Sequence, residues 1–419
     1  MSRLPRLLVL LLVLSACTDV VVPTGSPSTS STVAATTTTA TDPAEAATRA
    51  EVEALAGDVE RLRGLEFVDP VVVDIVAPGE LDDRWDALVT AELARQDLET
   101  EGALLRLLGV LPVGVSLEAA YREVYADPVA GWYDRVEGAV VVALDEEPLE
   151  PADRAVLVRE LALALADQRF GTSEALAELS DGGDVDALLA REALVEGEGA
   201  YVEAAWIAGL PAEEAEKLVA SAGATSRFDR LPTFLRRQLL FPYLGGLAFL
   251  RAVAPTLLEV DAVHERPPVS TEQVIDPEAW QLREAPKSVG ILSPVPAGHE
   301  VAEASTWGAA RLEALLGSVV EAGPLAAAVG GWGGDAYRVL RAGDDTLFQL
   351  HLVGDDADDL GELAAAFDTY LRASVAGADA WRLLTDGTTL VVLVADDPAT
   401  LEVIAVGLVG FEDVVVDDG

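Results

Sequence analysis

The chain has a single cysteine, Cys17, so no disulfide can form within it and the fold must rest on packing. Histidine is nearly as scarce: His264, His299 and His351 are the only three in 419 residues, and they are scattered. Lysine is limited to Lys217 and Lys287, so arginine supplies almost all of the positive charge. Positive charge is itself in short supply, with 28 basic against 72 acidic residues and a formal net charge of -44. Such a surface repels nucleic acid and anionic lipid headgroups and excludes partners that bind through them. No stretch reaches 18 unbroken apolar residues, which argues against a membrane-spanning helix.

What the chain does have begins at its N-terminus. Arg3 and Arg6 precede an apolar run over residues 7–14, and the run ends in Leu14-Ser15-Ala16-Cys17. A positive n-region, a short h-region and small residues before a cleavage point make a signal peptide, expected over residues 1–16. The pattern resembles a bacterial lipoprotein signal, and that resemblance makes Cys17 the lipidated first residue of the mature chain. Residues 17–44, rich in Thr, Ser, Pro and Ala, cannot bury a core and read as a disordered tether. The expected location is the extracytoplasmic face of the cell membrane, held by lipid.

The rest of the chain is 51% apolar overall and long enough for two sizeable cores. Apolar spacing predicts helices over 45–65, 81–98, 101–108, 151–168, 184–208, 212–221 and 232–253, with Asp184 as an N-cap. Strands are predicted over 71–76 and 139–144. A second region, 297–419, reads as a small α/β domain with helices on one side of its sheet, and Gly330-Gly331-Trp332-Gly333-Gly334-Asp335 reads as a glycine-rich loop with Asp335 bracing its turn. The predicted class is α+β: a mainly helical domain with a small sheet over 45–296, then the C-terminal α/β domain.

Most of the chemical interest lies in residues 158–170, Val-Arg-Glu-Leu-Ala-Leu-Ala-Leu-Ala-Asp-Gln-Arg-Phe. A zinc peptidase of the HExxH type needs two histidines four residues apart on one helix face, with a glutamate beside the first as general base. Here Glu160 holds the base position, while Arg159 and Leu163 hold the ligand positions. A guanidinium stays protonated and leucine has no donor atom. The next long helix carries Glu196-Gly197-Glu198-Gly199-Ala200, and Ser270-Thr271-Glu272-Gln273-Val274-Ile275-Asp276-Pro277 follows further on.

In order, RELALALADQRF, LVEGEGA, PPVSTEQVIDP and GWGGD resemble the motifs HELxHALxDQxF, LxEGDA, PxSTEQxxHP and GWGGD of secreted or membrane-associated prokaryotic zinc metallopeptidase-like proteins. The resemblance runs from about Glu51 onward, and VAGWYD before the helix matches that family's strand entry. It implies a gluzincin-like fold. Carried over position by position, it makes Arg159, Leu163 and Glu196 the relict ligand positions and Glu160 the relict base. Asp276 stands where the family has a histidine. With neither ligand histidine present, no catalytic residue, metal or cofactor is expected.

The expectation is a pseudopeptidase: an envelope lipoprotein that binds a peptide or an envelope protein through a relict groove at Glu160, Glu196, Glu198 and Asp276. The alternative is an active hydrolase in which those carboxylates hold a hard cation. On the helix, residues i and i+1 do not face each other, so Glu160 and Glu196 are expected to meet water or an arginine other than Arg159, with Arg191 and Arg169 as candidates. His299 reads as a loop or strand start and His351 as part of a solvated strand face, while the helix around His264 cannot continue past Pro267 and Pro268. The pairs Asp355-Asp356 and Asp358-Asp359 read as a solvated helix start, since they lack calcium-loop spacing.

Overall fold

The computed structural model describes residues 43–126, 129–144, 149–221, 227–291, 293–377 and 379–414. Cys17, the signal segment and residues 17–42 of the tether lie outside the described residues. The fold is α+β.

The first part runs α1 (Pro43–Arg63), β1 (Val72–Val76), α2 (Pro78–Ala94), α3 (Leu98–Leu107), α4 (Leu117–Val124), β2 (Gly131–Asp134), β3 (Ala139–Ala143), α5 (Pro151–Phe170), α6 (Thr172–Gly182), α7 (Val185–Ala208), α8 (Ala212–Ser221), α9 (Thr233–Val253), α10 (Val260–Glu265), α11 (Thr271–Ile275) and α12 (Pro277–Leu282). The second part runs β4 (Glu300–Ser305), α13 (Ala309–Leu316), α14 (Ala322–Gly330), β5 (Trp332–Ala342), β6 (Asp345–Gly354), α15 (Ala357–Ser374), β7 (Trp381–Thr385), β8 (Leu390–Ala395), α16 (Pro398–Gly407) and β9 (Glu412–Asp413). Helix α1 opens two residues inside the segment read as tether.

Two helices form the centre of the first part. In α5 every residue from Leu157 to Ala166 is buried, and in α7 every residue from Ala193 to Ile207 is buried. Helices without a polar face can only be stable when surrounded by protein. Pro151 begins α5, where its missing N–H costs nothing, and Gly171 ends it in the left-handed conformation. Asp184 caps α7 by accepting from Ala187 N at 3.1 Å, as its sequence predicts. Helix α9 crosses α7 at two glycines: a Cβ on Gly246 would lie 1.8 Å from Ala193 O, and one on Gly197 2.4 Å from Gly246 C. Only glycine permits so close a backbone approach.

Beside α5 lies a three-stranded sheet of order β1-β3-β2, with β1 parallel and β2 antiparallel to β3. Strand β2 is therefore an edge, and its outer side faces α5.

The second part holds an antiparallel sheet of order β4-β5-β6-β8-β7-β9. The expectation of helices on one side is corrected here. Leu363, Phe367 and Tyr370 of α15 pack in the main core with Phe348, Leu350 and Val392, whereas Leu401 and Ile404 of α16 pack with Leu347, Val391 and Leu393. Alternate residues of one strand point to opposite faces, and here both faces are covered.

The same fact corrects His351. It is fully buried on β6, because β6 sits inside the sheet and neither face of it meets solvent. Neither ring nitrogen has a hydrogen-bond partner, and burial followed by the nearby Arg338 pushes its pKa down to about 4. The glycine-rich stretch is corrected as well: Gly330 ends α14, Gly331 caps it, and Trp332 to Asp335 open β5, with a register shift between Trp332 and Gly334.

The main hydrophobic cluster includes residues from Val52 to Val394, so it is shared by both parts. Trp307 stacks on Phe234 at 6.2 Å, and Tyr370 donates to Leu108 O at 2.8 Å. Among the described residues no single helix is long and apolar enough to cross a membrane.

Candidate functional site

Helix α5 presents Arg159, Glu160 and Leu163 between β2 and α7. All three are almost completely buried, Arg159 at 1%, Glu160 at 3% and Leu163 at 3% exposure. Glu160 Oε2 accepts from Tyr133 N of the edge strand at 3.0 Å. Its Oε1 lies 3.4 Å from Arg159 Nε. On the far side of the guanidinium, Arg159 Nη1 lies 3.7 Å from Glu203 Oε2 on α7. Glu196, about two turns earlier on α7, lies 3.3 Å from Arg135 Nη2.

Glu160 and Glu196 are near enough to interact electrostatically, but the cations that meet them differ from the expectation. Arg159 does reach its neighbour Glu160. The side chains of i and i+1 leave the helix in different directions, but a guanidinium on a long flexible stem folds back. The cation at Glu196 is Arg135, from the turn after β2. Arg169 instead donates to Glu66 O, at 2.7 Å from Nε, and Arg191 Nε is buried without a hydrogen bond.

The electrostatics follow from burial. Desolvation raises the pKa of Glu160; Arg159 opposes the shift and Glu196 adds to it. Desolvation likewise lifts Glu203 to about 7, against the pull of Arg159. Burial works against the charged form of Arg159, yet Glu203, Glu160 and Tyr243 more than compensate and its pKa is raised. The Tyr243 ring adds a face 5.9 Å from the guanidinium carbon.

Zinc does not fit this arrangement. A permanent cation occupies the space between the carboxylates, and Leu163 brings no donor atom. Among the described residues no three His, Cys, Asp or Glu side chains form a cluster suited to a metal ion. Gly199 makes the arrangement sterically feasible. A Cβ there would lie 2.9 Å from Arg159 Cγ and 3.2 Å from Leu163 Cδ2. The missing side chain at 199 leaves room for the Arg159 stem opposite.

Glu198 and Asp276 do not join the groove. Glu198 is two residues from Glu196, about 200° round the helix. It faces Arg63 Nε and His264 Nε2, each at 2.5 Å. Burial works to raise its pKa, but Arg63 and His264 outweigh it and hold Glu198 down to about 2. His264 also stacks on Phe170 at 4.2 Å. Asp276 is exposed and caps α12, accepting from Glu278 N at 2.8 Å. Its pairing with Pro277 is a helix start, which explains the residue without any ligand role.

The other motifs brace the scaffold. Asp167 Oδ2 accepts from Tyr133 Oη at 2.7 Å and its Oδ1 from Ser173 N at 2.7 Å, tying β2 to the start of α6. Gln168 Oε1 accepts from Val68 N at 2.9 Å. Ser270 caps α11, and Thr271 N and Oγ1 both donate to buried Asp186. Asp335 accepts from Trp307 N at 2.6 Å, Gly308 N at 2.9 Å and Trp332 Nε1 at 2.8 Å. It lies inside β5 rather than at a turn, and ties Trp332 to the start of α13. His299 precedes β4 and meets Asp345 at 3.0 Å, and Asp356 caps α15 with its carboxylate, as the acidic pairs suggest.

A cavity of about 320 Å³ opens onto Glu160 and Leu163, between Trp85, Trp132, Arg135 and Leu188. Arg135, Glu203, Trp85 and Trp132 are absent from the sequence-based list. One signal for Glu203 was available: Glu196, Gly199 and Glu203 recur at three and four residues and so share the α7 face that meets α5. Nothing local marks Arg135, which reaches Glu196 across 61 residues of chain.

Among known proteins, a family model described as a domain of unknown function (DUF8575) matches residues 296–405, which run from just before β4 into α16. No curated protein and no solved structure matches the chain.

Proposed function

We propose that this protein is a lipid-anchored envelope protein with a gluzincin-like but non-catalytic peptidase domain, and that it binds a peptide or an envelope protein partner through its relict groove. One observation carries the reading: the Arg159 guanidinium stands beside Glu160 and Glu203 where the HExxH frame would present an imidazole. The neighbouring cavity, lined by indoles, leucines and charged groups, is of a kind that holds a side chain of a ligand. The competing hydrolase needs Glu198 and Asp276 with Glu160 and Glu196. Glu198 is engaged by Arg63 and His264, and Asp276 caps a helix, which weighs against that ligand set.

The test is the metal content and proteolytic activity of residues 45–419, purified without chelators. Zinc should be well below one per chain. Casein cleavage should stay at background and should not fall further in Glu160→Gln. One zinc per chain, with chelator-sensitive cleavage abolished by Glu160→Gln, would overturn the proposal.

A further inference from the structure

We propose that a second pocket, between the start of α3 and β4, takes the ammonium group of a lysine carried on an extended polypeptide segment. The pocket has a volume of about 60 Å³, and Asp97, Glu101, Ala302, Glu303 and Arg311 are among its lining residues. It shares no lining residue with the cavity beside Glu160, so it stands apart from the peptidase reading. Glu101 carries the assignment. The residue is 8% exposed, and among the described residues no hydrogen bond and no ion pair reaches its carboxylate. Without a partner, its oxygens still keep accessible surface, and the pocket supplies it. Burial raises its pKa to about 6, against the pull of Arg311 and with Glu303 adding to the shift. A buried carboxylate with neither donor nor paired charge is costly, and a cation set beside it removes that cost.

The rest of the lining agrees. Asp97 and Glu303 are engaged by neutral donors, Thr100 N and Tyr337 Oη, which leave their negative charge in place. Arg311 is the one guanidinium of the lining, and it is turned to aromatic groups. Its Cζ lies 4.0 Å from the Trp307 ring centre and its Nη1 lies 3.5 Å from Tyr337 Oη. The carboxylates form no cluster suited to a metal ion among the described residues, which leaves an organic cation. A compact ammonium with three donors suits so small a space better than a second planar guanidinium. The adjoining strand selects the body that carries it. Strand β4 ends the sheet order, so its outer edge has no strand partner. Ala302 drops out of the register between Val301 and Glu303 and is exposed beside the pocket. An extended segment added to such an edge gains backbone hydrogen bonds and can set one side chain in the pocket. A second copy of this chain fits poorly, since paired β4 edges would set Glu300 and Glu303 against their counterparts.

The experiment is calorimetric titration of residues 43–419, which hold every described element, at low salt. The probes are N-acetyl-Val-Lys-Val amide, the same peptide with norleucine for lysine, and n-butylamine. The lysine peptide should bind at pH 7.5. The norleucine peptide and n-butylamine should each be about tenfold weaker or more, by the ordinary worth of one charge contact and of the backbone hydrogen bonds. With a pKa of about 6, the ionised fraction of Glu101 falls about tenfold between pH 7.5 and pH 5, and the affinity of the lysine peptide should fall with it. Glu101→Gln should remove both the lysine preference and the pH dependence. It changes the net charge by only one, so general attraction to an acidic protein would survive it, and its urea midpoint should not drop because the residue has no donor to lose. Ala302→Arg, at an exposed position, should block the pocket with a competing cation at no cost to the core. Equal binding of the norleucine peptide overturns the ammonium assignment. Equal binding of n-butylamine overturns the strand assignment. Binding unchanged by Glu101→Gln or Ala302→Arg, or no binding of any probe, overturns the pocket assignment.

Discussion

Replacing Arg159 with methionine removes the guanidinium that lies between Glu160 and Glu203 while roughly keeping the length of the stem. Both carboxylates are almost fully buried, at 3% and 0% exposure. Removing one partner from a buried ion pair costs about 3–5 kcal/mol, because the other charge stays buried and uncompensated. The loss should depend on pH. Glu203 already titrates at about 7, and burial also raises Glu160. Without Arg159 the folded-state values of both rise further above the unfolded ones. A carboxyl whose folded pKa is raised stabilises the fold below its unfolded pKa and loses that contribution as pH rises through the folded pKa. One group kept protonated only in the folded state changes stability by about 1.4 kcal/mol per pH unit. Arg159→Met should therefore be about 2–3 kcal/mol more destabilised at pH 8 than at pH 6. Urea unfolding followed by far-UV circular dichroism at the two pH values measures this. The triple variant Arg159→Met, Glu160→Gln, Glu203→Gln should recover most of the loss at pH 8 and flatten the pH dependence. If Arg159→Met matches the parent at both pH values, the two glutamates are not desolvated and the account of the site is wrong.

Three further outcomes are expected. Gly199→Ala should cost about 1–3 kcal/mol by overpacking against Arg159 Cγ and Leu163 Cδ2, and Arg159→Ala should partly relieve it in the double variant, both read from urea midpoints. Asp335→Ala should lower stability by about 3 kcal/mol or more, since it strands the N–H groups of Trp307, Gly308 and the Trp332 ring together; a cost below about 1 kcal/mol would mean that water replaces the carboxylate. Cys17→Ser should abolish incorporation of a palmitate analogue and move the protein to the soluble fraction; unlabelled parent protein released from membranes by low salt would refute the lipid anchor.

The sequence determined the elements whose stability is local. Helix α5 could be read from Pro151 to near its end, because proline, apolar spacing and a terminal glycine act within a few residues. The Asp184 cap on α7 and the acidic cap on α15 were legible for the same reason. That neither Arg159 nor Leu163 can ligate a metal could be read without any structure, since a protonated guanidinium and an isobutyl group offer no lone pair wherever they lie. What the sequence could not determine was which carboxylate meets which cation. Helical spacing already separates Glu198 from Glu196, yet only the packing of α1 and α10 supplies Arg63 and His264 to one and leaves the other to Arg135. His351 shows the same limit. Its alternating strand gave a face but not whether anything covers it, and in the fold that face is buried. Desolvation and Coulomb energy depend on distance in space, so burial, raised carboxyl pKa values and which cation meets Glu160 are decided by the tertiary structure alone.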